Sequence, residues 1–392
     1  MTDSNYKILF TVGLMSLFAV FASVVGAQSR VSEPTVSSKP FDGSKNWEWS
    51  IVPGGYGLDS IQGLTRLTLD KNDEPYIFIS QSQITSFVRY AVKEKDCWRF
   101  RFLDTDASYQ LSDAAFVVDS KRKIHLALNK RRQISNSYES KLSYIFHDGN
   151  SGGKVITYSY PSNTDVAILI DKNDSPILFF NARDPLGRLL MAKRKDGTGF
   201  FEVTEVDQTA GFGFSSVSAA MDQTGRIHII AYESSSGSAK YFVSNSNGTW
   251  AKENLKGQSG SFTKLALEQN GTPHIIFLSQ KQGYREIQHA VKREIGWNFE
   301  SVVKVNITQA YFAFAIDSKN RPTILHSDPN NAALYLTVKD KGTWTNEKLF
   351  DYGFADGQHP IDLAIGRDGK PRIVSVYREN IASSNVVYGV KK

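Results

Sequence analysis

The sequence predicts an all-β fold, a seven-bladed β-propeller of four-stranded antiparallel blades, and three observations carry this prediction. A strand–turn–strand unit recurs seven times at periods of 46 to 52 residues. The second strand of each unit is apolar on both faces, which indicates sheets stacked face to face. The last unit lacks a fourth strand, and a matching segment precedes the first unit. Repeats of this length around one axis are typical of propellers.

The repeats align on an acidic residue that ends the first strand, and Gly366 replaces it in the seventh copy. Asp70, which opens the sequence Asp-Lys-Asn-Asp, resembles a fragment of a calcium loop but lacks the remaining oxygen ligands. Because Asx side chains stabilise tight turns, we interpret these acids as turn residues and predict neither a metal site nor a cofactor. The six acidic anchors are Asp70, Asp119, Asp171, Asp222, Glu268 and Asp317.

Positions after the anchor have separate predicted roles. Three residues on, six copies carry Gly, Asn or Asp, which tolerate the left-handed turn conformation, and only Arg122 departs. Five residues on, five copies carry proline, which belongs at the start of a strand because it lacks an N–H donor. Six residues on stand His125, His228 and His274. Equivalent positions in different blades do not converge, so we interpret these histidines as packing or turn residues.

The two ends of the chain are predicted to meet in one blade. The chain stops at Lys392 directly after a third strand, whereas Trp47–Val52 has the pattern of a fourth strand. Pairing between them would hide the sheet edge and the seam of the ring. The predicted propeller therefore spans residues 46–392.

The residues before the propeller are predicted to form a signal peptide for export, followed by a linker. Residues 1–27 contain a single lysine, an apolar run and a small-residue cleavage site, as in a signal peptide. An uncleaved membrane anchor is the alternative, since the apolar run is long. Residues 28–45 are rich in serine and proline and predict a flexible linker. We expect a secreted or periplasmic protein with no membrane span after cleavage.

The composition narrows the class of partner. The chain has 392 residues, 41% of them hydrophobic, and a formal net charge of +6. A mild positive charge favours an acidic glycan or another anionic surface. No dense run of lysine and arginine is present, so nucleic acid is not an expected partner. A glycan, acidic glycans included, or a protein is expected instead.

The repeat resembles those of secreted bacterial β-propellers related to the sialidase/BNR superfamily. The motif is Asp-x-x-Gly-x-Pro-His-Ile followed by Trp-x-x-Glu, and the resemblance covers about residues 46–392. It implies a fold shared by lectins, polysaccharide lyases, hydrolases and scaffolds, and the fold does not choose among them. In Ser246–Trp250 the glycine stands one residue closer to the tryptophan than in a sialidase Asp-box. With no matching arginine triad in the sequence, the resemblance does not extend to sialidase activity.

The predicted binding surface is the face formed by the loops between second and third strands, which in blade 2 is residues 129–140, and by the crossovers between blades. Such loops carry function, because a rigid scaffold holds them at the surface. Aromatic rings there would stack on sugars, and arginines would bind carboxylates or sulfates. The predicted ligand-binding residues are Arg183, Glu233, Arg285, His326, Tyr352, His359 and Arg378.

The leading functional hypothesis is a non-catalytic propeller that recognises a glycan or a protein through this face. A polysaccharide lyase is one alternative, with His326 or Tyr377 as the base and Arg183 or Arg378 neutralising a uronate carboxylate. A glycoside hydrolase is another, with two carboxylates from Glu233, Asp184 and Glu379. An envelope scaffold without a small ligand is the third.

Overall fold

Apolar strands on a regular period assemble into a ring of seven sheets in the computed structural model. Its described residues are 25–26, 35–37, 39–52, 64–80, 88–95, 97–104, 108–135, 137–149, 152–159, 161–183, 186–195, 200–209, 213–255, 260–305, 311–328, 332–352, 360–380 and 383–392. They form strands and turns, and none of them belongs to a helix. Within these ranges there is accordingly no helix long and apolar enough to cross a bilayer.

Each blade is a meander that runs outward from an inner strand. Four short strands come first in the chain: β1 (Val25–Gly26), β2 (Thr35–Ser37), β3 (Lys39–Pro40) and β4 (Trp47–Val52). Blades 1 to 3 contain β5 (Thr65–Leu69), β6 (Pro75–Ser80), β7 (Val88–Glu94), β8 (Cys97–Asp104), β9 (Gln110–Val118), β10 (Ile124–Ile134), β11 (Ser137–His147), β12 (Gly152–Ser159), β13 (Pro161–Ile170), β14 (Pro176–Arg183), β15 (Gly187–Arg194) and β16 (Phe201–Thr209).

Blades 4 to 7 repeat this order. They contain β17 (Phe214–Met221), β18 (Ile227–Glu233), β19 (Ser238–Ser244), β20 (Trp250–Asn254), β21 (Gly260–Leu267), β22 (Pro273–Lys281), β23 (Tyr284–Arg293), β24 (Gly296–Val305), β25 (Phe312–Ile316), β26 (Pro322–Asp328), β27 (Ala333–Asp340), β28 (Thr343–Asp351), β29 (Ile361–Ile365), β30 (Pro371–Asn380) and β31 (Ser383–Lys391). Neighbouring strands within every blade are antiparallel. The predicted seven-bladed propeller is confirmed.

The ends of the chain meet in blade 7, as predicted. Strand β4 pairs with β31 in a register that runs from Val386 opposite Val52 to Lys391 opposite Trp47. The blade order is β29-β30-β31-β4-β3, so an N-terminal strand supplies the fourth strand that the C-terminus lacks. Two shorter segments extend other blades, since β2 pairs with β8 and β1 with β12. Most of residues 1–45, which include the predicted signal peptide and linker, lie outside the described residues.

The turns between first and second strands have the predicted conformation in all seven copies. The residue three after the anchor has a positive φ in each: Asp73, Arg122, Asp174, Gly225, Gly271, Asn320 and Gly369. Arg122 adopts φ 66° without being a typical turn residue. Its guanidinium offsets that cost, since it contacts the carboxylates of Asp70 and Glu74 and the hydroxyl of Tyr76.

The anchor carboxylates hold these turns closed. Asp70 Oδ1 accepts hydrogen bonds from the backbone N–H groups of Asn72 and Glu74 at 2.8 and 2.9 Å. Asp119, Asp171, Asp222 and Asp317 make the same two bonds to their own turns. The interpretation as turn residues is confirmed for these five aspartates, whereas the carboxylate of Glu268 contacts His274.

The copy without an anchor acid has an arginine in its place. A Cβ built on Gly366 would lie 1.6 Å from a terminal nitrogen of Arg372, so glycine leaves the space that the guanidinium occupies. Arg372 stands six residues after the anchor position, where blades 2, 4 and 5 carry histidine, and it pairs with Asp368 at 2.9 Å. The seventh turn therefore carries its acid two residues after the anchor position instead of at it.

Buried apolar clusters join neighbouring blades. The cluster between blades 7 and 1 contains Val52, Leu67, Ile77, Val374 and Val386, which come from both ends of the chain. Strand β6 is buried along its whole length, as expected for a strand covered on both faces. Packing between sheets thus fixes the blades around the axis and holds two opposite faces of the ring in place.

Candidate functional site

We call the face with the hairpins between second and third strands, and with the crossovers between blades, the loop face. The opposite face, which carries the anchor turns, is called the turn face. The side chains of three predicted ligand-binding residues lie outside the described part of the structure. Arg183 ends β14 and Arg378 lies near the end of β30, but only their backbone is described, and His359 lies outside the described residues.

The structure places His326 inside blade 6. Its side chain is 1% exposed, its ring stacks on Tyr335 and its Nε2 lies 3.0 Å from the hydroxyl of Thr337. Tyr377, the other predicted base, packs edge-on against Phe41 and Phe350. The rings of His326 and Tyr377 therefore contact different partners. Because burial disfavours the charged imidazole, the pKa of His326 is lowered to about 4.

Glu233 is held within a charged cluster at the end of β18. Its carboxylate accepts hydrogen bonds from Ser236 Oγ at 2.6 Å and Lys240 Nζ at 3.3 Å. Lys240 also binds Asp207, which Lys252 contacts from the outer strand. Burial opposes ionisation of Glu233, but hydrogen bonds, that of Ser236 foremost, lower its pKa. An ionised, bonded carboxylate in this place stabilises the hairpin between β18 and β19.

Arg285 and Tyr352 also contact their own surroundings. Arg285 Nε donates to Gln280 Oε1 at 2.6 Å across the hairpin of β22 and β23. Tyr352 is buried, with its hydroxyl 3.5 Å from Ser375 Oγ, and burial raises the pKa of its phenol. No described contact joins Arg285 or Tyr352 to His326. The predicted residues that can be placed are therefore spread over several blades.

A charged set that the sequence analysis did not single out borders the central channel. It lies at the loop-face ends of the inner strands and consists of Arg66, Asp113, Asp165, Lys264 and Asp362, called the channel ring below. Arg66 contacts Asp113 at 2.5 Å and donates from Nε to the carbonyl of Ala114 at 2.8 Å. Asp165 and Asp362 interact electrostatically with Arg66, and Lys264 interacts with these two carboxylates.

Carboxylates of the channel ring connect one blade to the next. The inner edge of each first strand presents N–H groups that no further strand can accept. Asp113 of blade 2 accepts the N–H of Val166 in blade 3 at 2.7 Å, and Asp362 of blade 7 accepts that of Leu67 in blade 1 at 2.8 Å. Ser218 accepts the N–H of Leu265 in the same way. The ring therefore helps to close the propeller.

Asp165 has an unusual acidity within the ring. Burial, and then repulsion by Asp113, raise its pKa to about 6, against the attraction of Lys264 and Arg66. A carboxyl group that exchanges its proton near neutral pH, beside two cations, is a type of group that active sites use. No group of His, Cys, Asp and Glu suited to a metal ion occurs among the residues that the structure describes.

Blade 2 carries a paired hairpin where the sequence predicted a loop over residues 129–140. Strands β10 and β11 remain in register from Ile124 opposite His147 to Ile134 opposite Ser137. The prediction was wrong because polar and apolar residues do not alternate clearly enough in this segment to indicate a strand. In the folded protein, pairs of side chains across the two strands stabilise the ladder. The hairpin extends on the loop face, and its outer part, residues 131–141, is called the arm.

The two faces of the arm carry aromatic rings beside cations. On one face the Arg131 guanidinium lies 5.4 Å from the ring centroid of Tyr138, which is 57% exposed. On the other face Arg132 and Lys141 lie 5.0 and 4.7 Å from the ring of buried Tyr109. Glu139 bonds to both of these cations, and this holds the second face in place. Tyr138 is exposed and Arg131 half-buried, so the ring of Tyr138 is accessible to a ligand.

Sequence reasoning missed the channel ring for a specific reason. The polar positions of the first strands do not follow the repeat, so the repeat does not mark them as a set. Four residues before the anchor, three copies carry a charge, in Arg66, Lys264 and Asp362, whereas the others carry Ala or Ser. This irregularity within an otherwise apolar strand was the signal that could have found the ring.

Comparison with known proteins supports the architecture. A polysaccharide lyase described as "PL25-Ulvanlyase bound to -[GlcA(1-4)Rha3S]-" is similar at a TM-score of 0.55 and 12% identity, over 91% of this chain and 95% of the lyase. A protein of unknown function from Dyadobacter fermentans has a TM-score of 0.51 and 10% identity, over 91% and 98% of the two chains. The NanB sialidase of Streptococcus pneumoniae reaches only 0.45, with 12% identity over 87% and 70%.

These similarities show the fold alone, because the identities are low. Neither a family model nor a curated protein sequence matches this chain. The predicted propeller architecture therefore holds, and the resemblance to sialidase/BNR-like repeats stays a prediction.

Proposed function

We propose that this protein is a non-catalytic propeller that binds an acidic glycan, and that the arm of blade 2 carries the binding. The single observation behind this is the exposed ring of Tyr138 beside the guanidinium of Arg131 on the loop face. An aromatic ring stacks on the apolar face of a sugar, and a guanidinium binds a carboxylate or sulfate through two hydrogen bonds. The net charge of +6 favours the same class of partner.

The arm is suited to this role by its construction. Arg131 and Tyr138 lie diagonally across the β10–β11 ladder, so both side chains project from one face. On the opposite face the contacts of Glu139 with Arg132 and Lys141 stiffen the hairpin. A rigid platform loses little conformational entropy on binding. Export from the cytoplasm, which the N-terminal segment predicts, would bring such a surface into contact with polysaccharides.

The test is a binding measurement on the full-length protein with uronate-containing and sulfated polysaccharides, with neutral dextran as the reference. Tyr138→Ala and Arg131→Ala are each expected to weaken binding about tenfold, which corresponds to about 1.4 kcal/mol. Ile295→Ala and Arg226→Ala, at exposed positions on the turn face, serve as matched controls and should bind like the wild type. Equal binding by all five proteins would overturn the role of the arm, and no binding to any polysaccharide would favour the scaffold.

A polysaccharide-active enzyme is the second candidate, and the raised pKa of Asp165 beside Arg66 and Lys264 favours it. A carboxyl group of this kind can exchange a proton while the two cations hold an acidic substrate group. Incubation with uronate polysaccharides, followed by ultraviolet absorbance and reducing-sugar assays, tests this. Product that forms with the wild type and not with Asp165→Asn would establish the enzyme, and the absence of product would exclude these activities for the substrates used.

A further inference from the structure

A cleft on the turn face, between blades 5 and 6, is separate from the arm and from the channel ring. Its volume is about 310 Å³, which accommodates a small polar ligand. The anchor turn of blade 6 and the outer turn between β27 and β28 form one wall, and the end of β23 forms the other. The cleft is rich in basic side chains, namely Arg293, Lys319, Arg321, Lys339 and Lys341.

Two of these cations are fixed by acidic partners. Lys339 Nζ contacts Glu300 Oε1 at 2.5 Å, and Arg321 Nε contacts the anchor Asp317 at 2.7 Å. These pairs stiffen the wall without leaving an excess charge. They also orient the turn on which the remaining cations stand.

The other three cations stand exposed at the opening. Arg293, Lys319 and Lys341 are exposed, and within the described ranges none of them makes an ion pair. They come from three different turns, which the propeller fold brings to one opening. The acidic residues of the lining are Glu268 and Asp340. The lining thus has five cations and two anions. When the paired Lys339 and Arg321 are left out, the three remaining cations still outnumber the two anions.

Three lining residues, Glu268, His274 and His289, belong to a hydrogen-bonded chain that ends at Glu300. Glu268 contacts His274 at 2.7 Å, His274 contacts His289 at 2.9 Å, and His289 contacts Glu300 at 2.6 Å. Burial lowers the pKa of both imidazoles, that of His289 to about 4, so neither ring adds a positive charge to the cleft.

We propose that this cleft binds a small tetrahedral oxyanion, the phosphate or sulfate group of a ligand. Lysine and arginine side chains from separate turns converge on one open cleft, and such side chains bind phosphate and sulfate groups. The unpaired rim cations would meet the oxyanion directly, and the paired cations would hold the wall in shape. The site does not depend on the arm, so ligand could occupy both faces of the ring.

The experiment measures binding by calorimetry on the full-length protein at constant ionic strength, with inorganic phosphate, sulfate, a sugar 6-phosphate and a sugar 6-sulfate as probes. The double variant Lys319→Ala with Lys341→Ala removes two rim charges. Lys71→Ala with Lys172→Ala removes the same charge from equivalent anchor turns of blades 1 and 3, which makes it a matched control. The wild type and the control are expected to bind at least one probe, and the rim variant should bind it at least tenfold more weakly.

Preference for the phosphate or the sulfate probes identifies which ester the cleft takes, and either preference supports the proposal. Equal affinities of the rim variant and the control, or no binding of any probe by the wild type, would overturn it. Tyr138→Ala is expected to leave the affinity for the probes unchanged. A result on the cleft is thereby independent of the result on the arm.

Discussion

The imidazole rings of His274 and His289 face each other in blade 5, with 2.9 Å between Nδ1 of the first and Nε2 of the second. In blades 2 and 4 the place of His289 is taken by Tyr144 and Tyr241. Each tyrosine hydroxyl lies 2.5 Å from Nδ1 of the histidine of its own blade. Blade 5 has thus replaced a hydroxyl donor by an imidazole, which extends the hydrogen-bonded chain to Glu300.

Substitution at His289 should show which property this position needs. His289→Tyr restores the arrangement of blades 2 and 4, so we expect a free energy of unfolding within about 1 kcal/mol of the wild type. His289→Phe fills similar space but leaves His274 Nδ1 without a partner, which is expected to cost about 1–3 kcal/mol. Urea unfolding of the three proteins measures the difference. Equal losses in the two variants would show that ring volume, and not the donor, matters.

If the channel ring stabilises the fold, removing the carboxylate of Asp113 should lower the free energy of unfolding. Asp113→Ala takes a partner from Arg66 and from the N–H of Val166, and we expect a loss of about 2–4 kcal/mol. Asp113→Asn retains an acceptor for the N–H and should lose less. The measurement is denaturant unfolding, with Glu294→Ala at an exposed turn as control. A loss for Asp113→Ala no larger than that of the control would contradict this role.

Local turn chemistry made most of the fold predictable from the sequence. The anchor acids, the left-handed third position and the strand-opening prolines each follow from the backbone conformation of one residue. Trp47–Val52 was identified as the closing strand because its pattern matched a missing element. Even Arg122, the exception to the turn rule, adopts the conformation of its relatives.

The site was much less predictable, because it depends on contacts between blades. The sequence gives no indication that Arg372 fills the space beside Gly366, since the two are related only through the seventh turn. His326 was predicted to bind ligand on the loop face, but its ring is buried against Tyr335. Loop positions can be assigned to a face by topology, but the burial of each side chain depends on neighbours distant in the sequence.

The burial of His326 leads to a prediction about acid stability. An unfolded histidine titrates near pH 6.5, whereas burial lowers the pKa of His326 in the folded protein to about 4. Between these values the unfolded state binds a proton that the folded state does not. The contribution of His326 to stability is therefore fully present above pH 6.5 and is lost as the pH falls towards 4.

His326→Phe removes this titration and retains a ring that can stack on Tyr335. Between pH 7.5 and pH 4.5 the wild type is expected to lose about 2–3 kcal/mol more of its unfolding free energy than the variant does. Other buried histidines, such as His125 and His228, titrate in both proteins, so their effects cancel in the comparison. Denaturant unfolding at several pH values gives the two curves. If the curves run parallel, His326 takes up its proton without unfolding, and the ring is more open to water than its 1% exposure indicates.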